Sequence, residues 1–405
     1  MWSLFSSTSN KEHLVAVFDI GSGSIGGAIV SLNSEEEESI PKIVASTRLN
    51  IESKSYLDMD FEAFTKDMLS TLEQTASALF NLKKGAPQEI FCMLASPWYD
   101  SEIRNIKESN LKKVGLDKNR IDLLTKEELT KLDKEYNQKY KADKDKRVVI
   151  EQYVSSFILD GRTEANPLSK KARNIEMDLV VSVSPKEIIK KIKEEIKKSF
   201  STEKVDFMSF SSASYLAVRD NFVISKDTYF LVDISGQTTD ITAIDRGFIK
   251  SFKSFSFGRK NIFRYLTNKL GLDTREARNF FNLHNDNNLT TNLKNKIDPE
   301  ISFLKTTWFK KFKQKIEEIK DEGVKTSKTF FVTADDDVKK WFGKVIEESE
   351  KDETLIDSYK GVNIIILDGS EFLRSYYPKN CRLDPFLAIA TLALTKKKIK
   401  AYGKN

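Results

Sequence analysis

Two aspartates, Asp19 and Asp233, each end an apolar run and open a short turn rich in Gly, Ser and Thr, which a second apolar run follows. The first passage reads VAVFDIGSGSIGGAIV (15–30) and the second FLVDISGQTTDITAI (230–244). A polyphosphate bound with Mg2+ needs backbone N–H groups facing its oxygens, room for close approach, and carboxylates near the metal. In the first turn Gly21 and Gly23 can take positive φ and carry no obstructing side chain, while Ser22 and Ser24 add hydroxyl donors. In the second turn Gly236, Gln237, Thr238 and Thr239 would act from the opposite side. Asp19 and Asp233 would hold Mg2+ through water, making them the candidate metal and catalytic residues. Metal and converging donors would then stabilise charge on a terminal phosphoryl group and position an attacking water. One such hairpin alone is an ordinary tight turn; two copies, each with Asp at the strand end, form a pair. Neither is a P-loop, because there is no GxxxxGK[ST] and no strand–turn–helix order.

The elements that must position these residues alternate hairpins with helices, an α/β pattern. Strands are expected at 14–19, 25–32 and 41–49, then a helix capped by Asp60 with the stripe Phe61, Phe64, Met68, Leu72 and Leu79. A strand at 89–95 precedes Ser96-Pro97-Trp98. The lysine- and glutamate-rich stretch 101–147 reads as a charged helical segment, with a capping box at Thr125–Glu128 and a face of Leu129, Leu132, Tyr136 and Tyr140. Strands at 147–159 and 175–184 lead to an amphipathic helix opened by Pro185, with Ile188, Ile192 and Ile196 on one face. A helical stretch within 205–222 precedes the second hairpin at 228–245 and a strand at 248–257. Helices at 259–270, 274–284 and 300–321, a polar loop at 285–295, a strand at 329–334, a helix from Val338, a strand at 363–368 and a helix at 384–396 complete the chain. The division expected is 1–85 with the first hairpin, an inserted α+β module at 86–202, 203–370 with the second hairpin, and 371–405 returning to the first part.

Bulk properties narrow the function. The 405 residues suit two or more domains, and 40% hydrophobic content supplies ample core. A net charge of +6, from 66 basic and 60 acidic groups, is no nucleic-acid signature and suggests at most weak attraction to anionic lipid. Two isolated cysteines, Cys92 and Cys381, suit a reducing cytosol, and two histidines without CxxC argue against structural zinc. No apolar run reaches the ~18 residues that span a bilayer. Trp2, Leu4 and Phe5 form an apolar cluster at the start, read as a docked or frayed end or as a weak membrane or partner contact. Trp98, Tyr99, Trp308 and Trp341 read as core or interface aromatics, and Arg259 and Lys260 as a solvated face or phosphate contacts.

On these motifs the chain resembles the actin-like (ribonuclease H-like) ATPase superfamily, and within it the bacterial FtsA and PilM group. That group carries DIG-x-x-K-I at its first turn and DIGGGTTDI at its second. This chain has Asp19-Ile20-Gly21-Ser22-Gly23-Ser24-Ile25 and Asp233-Ile234-Ser235-Gly236-Gln237-Thr238-Thr239-Asp240-Ile241. The order of features from Ile150 to Ala217 is similar to the group's strand-helix-strand-strand insert, including Leu159-Asp160-Gly161 and Asn166-Pro167. The helix from Asp384 to Leu394 looks like the group's last helix. The resemblance runs through nearly the whole chain and is most specific at the second hairpin and in the insert.

The resemblance implies a two-domain ATPase fold with an inserted small α+β subdomain, ATP and Mg2+ as cofactors, and an adenosine side at Thr333, Ala334 and Asp335. The departures are specific. Ser24 stands where a Lys is common, Ser235 and Gln237 replace glycines, FGRKN (257–261) replaces a Gly-Gly turn, and Val332-Thr333-Ala334-Asp335-Asp336-Asp337 replaces a strand ending in TGG. One of these aspartates could accept from a ribose hydroxyl, or Asp335 or Asp336 could cap the next helix. Three functions follow. The first is an ATP-binding scaffold, at most a slow ATPase, in a cell-division or type IV pilus complex at the cytoplasmic face of the membrane. The second is a pseudo-ATPase adaptor with the same partners. The third is a metabolic kinase of the superfamily, against which the insert argues. Protein partners, self-association and indirect membrane contact are expected, and nucleic acid is not.

Overall fold

A computed structural model describes residues 13–32, 41–52, 61–141, 146–164, 166–222, 228–348, 361–367, 377 and 383–402. The Trp2/Leu4/Phe5 cluster, the Asp60 cap and Cys381 lie outside the described residues.

Two five-stranded sheets repeat one design. The first comprises β1 (His13–Ile20), β2 (Ser24–Leu32), β3 (Lys42–Asn50), β4 (Glu89–Leu94) and β9 (Val205–Ser209), ordered β3-β2-β1-β4-β9. The second comprises β10 (Tyr229–Ile234), β11 (Thr239–Asp245), β12 (Phe248–Phe255), β13 (Thr329–Ala334) and β14 (Asn363–Ile366), ordered β12-β11-β10-β13-β14. In each, an antiparallel hairpin takes a third antiparallel strand on one side and two parallel strands on the other. The repeat holds position by position. Asp19 pairs with Gly26 and Gly26 with Arg48, just as Asp233 pairs with Asp240 and Asp240 with Ser254.

The hairpin strands are apolar on both faces because both faces are covered. Helix α4 (Phe210–Asn221) and the C-terminal helix α9 (Pro385–Tyr402) lie between the sheets, so Val15 and Val17 share one core with Leu231, Phe331, Ala213 and Leu387. Helices α1 (Phe61–Asn81) and α3 (Lys186–Lys197) cover the outside of the first sheet through Phe64, Met68, Leu72, Ile188, Ile192 and Ile196. Helices α5 (Arg259–Leu270), α6 (Thr274–Asn285), α7 (Thr291–Asp321) and α8 (Lys339–Glu347) cover the outside of the second. Trp98 and Trp308 are fully buried and Tyr99 and Trp341 nearly so, as expected of core aromatics.

A third sheet, ordered β5-β8-β6-β7, is built from β5 (Asp100–Gly115), β6 (Arg147–Leu159), β7 (Arg162–Thr163) and β8 (Lys171–Pro185), with α2 (Lys118–Lys139) beside it. Here the expectation of a helical 101–147 is corrected: its first third is a 16-residue strand paired along β8. Charged side chains on both faces of this half-exposed strand hide the two-residue alternation. Helix α2 starts at Lys118 under an Asp117 cap that accepts from Arg120 N–H, so Thr125 lies inside the helix and caps nothing. Helix α7 likewise begins at Thr291, inside the expected polar loop, and runs through Pro299. Strand β9 went unread because its five residues abut the start of α4.

Candidate functional site

The two turns touch. Gly21 N–H bonds to Ser24 O (3.2 Å) and Ser235 N–H to Thr238 O (3.0 Å), closing each turn on itself. The Ser22 hydroxyl lies 2.9 Å from the Ser235 hydroxyl and accepts from Gln237 N–H at 3.0 Å. Gly23 and Gly236 pack backbone to backbone, and a Cβ on Gly236 would fall 2.5 Å from Gly23 Cα. The 257–261 segment clamps the second turn from outside, with Arg259 N–H on Ser235 O (2.9 Å) and Lys260 N–H on Gly236 O (2.8 Å). Gly258 is required there, since any Cβ would run into the Ser235 carbonyl. Lys260 then crosses to the first sheet's side, donating to Ile51 O at 2.9 Å beside the Phe64 ring. Burial and the neighbouring Arg259 and Arg264 push its pKa down to about 8.

Of the residues singled out from sequence, Gly21, Ser22, Gly23, Gly236, Gln237 and Thr238 gather at this contact. Thr239 does not: its hydroxyl donates to Phe257 O (2.6 Å) and accepts from Trp308 Nε1 (3.0 Å) inside the second core.

The two aspartates have different surroundings. Asp19 Oδ2 accepts from Arg48 Nη2 at 2.8 Å. The same guanidinium donates to Asp384 at 2.6 and 3.0 Å and to Ser24 Oγ at 2.9 Å, while Phe386 covers it at 5.1 Å. Burial pushes the Asp19 carboxyl up to about 6, against the pull of Arg48. Asp233 Oδ1 accepts from Thr333 Oγ1 at 2.9 Å, and its Oδ2 has no partner. Asp233 lines a cavity of about 10 Å³ under α4, with Phe210, Ser214 and Asp240. Burial, then the facing Asp240, raise the Asp233 pKa well above the ordinary carboxylate range.

Beside the joined turns a groove of about 580 Å³ opens between the sheets, lined by Arg48, Arg259, Arg278, Asp335, Asp384 and Phe386 among others. Arg259 is buried and holds Asp337 through two 2.7 Å hydrogen bonds, with Asp335 at 3.5 Å. It is therefore neither a solvated face nor an uncommitted phosphate contact. Arg278 also reaches Asp337 at 3.3 Å. No aspartate side chain caps α8. The Asp335 carbonyl accepts from Val338 and Lys339 N–H instead, and Asp336 pairs with Lys339 at 2.9 Å. Thr333 is turned toward Asp233, and Ala334 is buried at the strand end.

These residues do not fit Mg-ATP as they are arranged. The turns press on each other and leave no room for a phosphoryl group between them. The Asp19 carboxylate already faces a cation, and each arginine lining the groove is paired to a carboxylate. Sequence reading missed Arg48, Asp384 and Ser235. The one available signal was the missing cation at Ser24, which Arg48 supplies from the neighbouring strand.

Two like sheets, each with an Asp-turn hairpin at the rim of a shared groove, define the fold of the actin-like ATPases. Within that class the chain resembles PilM. The structure of a PilM–PilN type IV pilus biogenesis complex matches with a TM-score of 0.62 at 14% identity, covering 95% of this chain and 98% of that one. A Bacteroides thetaiotaomicron protein with actin-like ATPase fold and unknown function matches with a TM-score of 0.40 at 10% identity, covering 96% and 99%. The ethanolamine utilization protein EutJ from Carboxydothermus hydrogenoformans matches with 0.39 at 13% identity, covering 94% and 89%. No protein-family model matches the chain, nor does any curated protein.

Proposed function

We propose that this chain is an actin-fold adaptor that docks a protein partner in a membrane-associated assembly, of the pilus or cell-division kind. Its cleft is closed by its own residues instead of by a nucleotide. The observation that carries the reading is the direct contact of Gly23 with Gly236, reinforced by the Ser22–Ser235 hydrogen bond. Partner docking is supported by a groove of about 1260 Å³ between α1, α3 and the third sheet. Apolar Phe61, Leu69 and Ile188 line it together with charged Lys66, Glu73 and Lys191. That volume exceeds the ~300–1,000 Å³ typical of small-molecule sites and suits a protein segment. The similar PilM structure is of a complex with a partner, PilN. Among the described residues no helix is long and apolar enough to cross a membrane.

A nucleotide-switched scaffold is the second reading, favoured by the unpartnered Asp233 Oδ2 and the 580 Å³ groove. Titrating Mg-ATP against the melting temperature separates the two, since a ligand of the folded state stabilises it by mass action. The adaptor reading expects no shift at millimolar Mg-ATP, and a saturable rise overturns it. Crosslinking in the host membrane fraction should yield an adduct that Phe61→Asp and Leu69→Asp remove.

A further inference from the structure

The cross-strand row Asp19–Gly26–Arg48 differs from its counterpart Asp233–Asp240–Ser254 in one respect: it contains its own cation. The guanidinium of Arg48 is surrounded by hard oxygen atoms, namely Asp19 Oδ2, both Asp384 carboxylate oxygens and Ser24 Oγ, at 2.6–3.0 Å. Two carboxylates and a hydroxyl at one point are the kind of set that holds a divalent cation. Here all three guanidinium nitrogens supply the donors, and the side chain is only 22% exposed.

The place is shaped for that side chain. Gly26 faces Arg48 in register, and a Cβ there would collide with Nη2. The Phe386 ring covers the guanidinium, and Asp384 is itself fixed as the first-turn acceptor of α9 through Leu387 N–H at 3.1 Å. The small residue comes from β2, and the aromatic cover and the fixed carboxylate come from the start of α9, more than 350 residues later. They act together only if an arginine is there.

We propose that Arg48 is a built-in cation standing in for Mg2+ at the first hairpin, so that this cleft neither needs nor binds a divalent metal. The inference rests on the reading of the cleft as self-closed, and not on any partner. A second cation at Asp19 would meet a fixed positive charge already bonded to its Oδ2. Removing that charge leaves Asp19 and Asp384 together with no counter-ion, which is a vacant dicarboxylate site.

The test uses Mn2+ as an oxygen-preferring, paramagnetic probe of the full-length protein. Free Mn2+ is followed by electron paramagnetic resonance, and melting temperature is followed with and without Mg2+. The wild type and Arg48→Lys should leave the Mn2+ signal unchanged, and their melting temperatures should not respond to Mg2+. Arg48→Gln should bind one equivalent of Mn2+ and become stabilised by Mg2+, and Asp19→Asn in that background should remove both effects. Wild-type Mn2+ binding that Asp19→Asn abolishes overturns the proposal, as does a folded Arg48→Gln that ignores both metals. If Arg48→Gln folds only with metal, that rescue supports it. If it folds under neither condition, the wild-type and Asp19→Asn titrations decide alone. Loss of partner crosslinking would leave these outcomes unchanged, so the two readings fail separately.

Discussion

The Ser22 hydroxyl meets the Ser235 hydroxyl at 2.9 Å, across 213 residues of sequence, and joins the two turns at the base of the cleft. The neighbouring Gly23 and Gly236 pack backbone to backbone, because neither residue has a side chain. Gly236→Ala must therefore push the turns apart. We expect a loss of about 1–3 kcal/mol in urea unfolding, the usual cost of overpacking. Gly115→Ala, which meets open space, should change stability by no more than about 0.5 kcal/mol.

Arg259 is buried and forks onto Asp337. Arg259→Met leaves that carboxylate with Arg278 alone, at 3.3 Å. Removing one partner of a buried pair costs about 3 kcal/mol. Asp337→Asn keeps hydrogen-bond acceptance and should cost less, and the Arg259→Met/Asp337→Leu pair should recover part of the loss. Denaturant midpoints for the four proteins check this.

Burial pushes the Asp240 carboxyl from 3.8 up to about 6, so the folded chain holds this proton more tightly than the unfolded chain does. Its contribution to stability is full below about pH 4 and is lost as pH rises to about 6. Asp240→Asn, which cannot ionise, should be more stable than the wild type above pH 6, by on the order of 2–3 kcal/mol. The difference should shrink toward pH 4. Unfolding curves of both proteins at stepped pH values test the sign as well as the size.

Asp178 ties the third sheet to the second. It accepts from Ser156 (2.6 Å), Asn105 (2.9 Å) and Lys250 of β12 (2.7 Å), which hold its carboxyl below the ordinary range despite burial. Asp178→Ala should cost about 1–3 kcal/mol by leaving these donors unsatisfied. Hydrogen exchange should quicken in β8 and β12 together. Exchange unchanged in β12 would mean that the bridge carries no load between the sheets.

The Asp-turn hairpins were legible in sequence because strand, acid and turn are contiguous and occur twice. The stripes of α1 and α3 were legible for the same reason. What escaped was long-range. Arg48 and Asp384 are 336 positions apart, and only the folded sheet brings them together. The pairing of Asp337 with Arg259 left no local trace because the two lie 78 residues apart. In β5 the charges on both faces erased the alternation that betrays a strand.

Strands β4 and β9 are parallel neighbours, in register from Ile90 with Val205 to Leu94 with Ser209. A parallel pair cannot be joined by a tight hairpin; the chain must travel the length of the strands and return. The third sheet occupies this obligatory return path, with α3 as its final leg. The third sheet thus lies where the backbone already has to leave the first sheet. Its size and surface can therefore vary without altering the register of the five paired strands that carry the first hairpin.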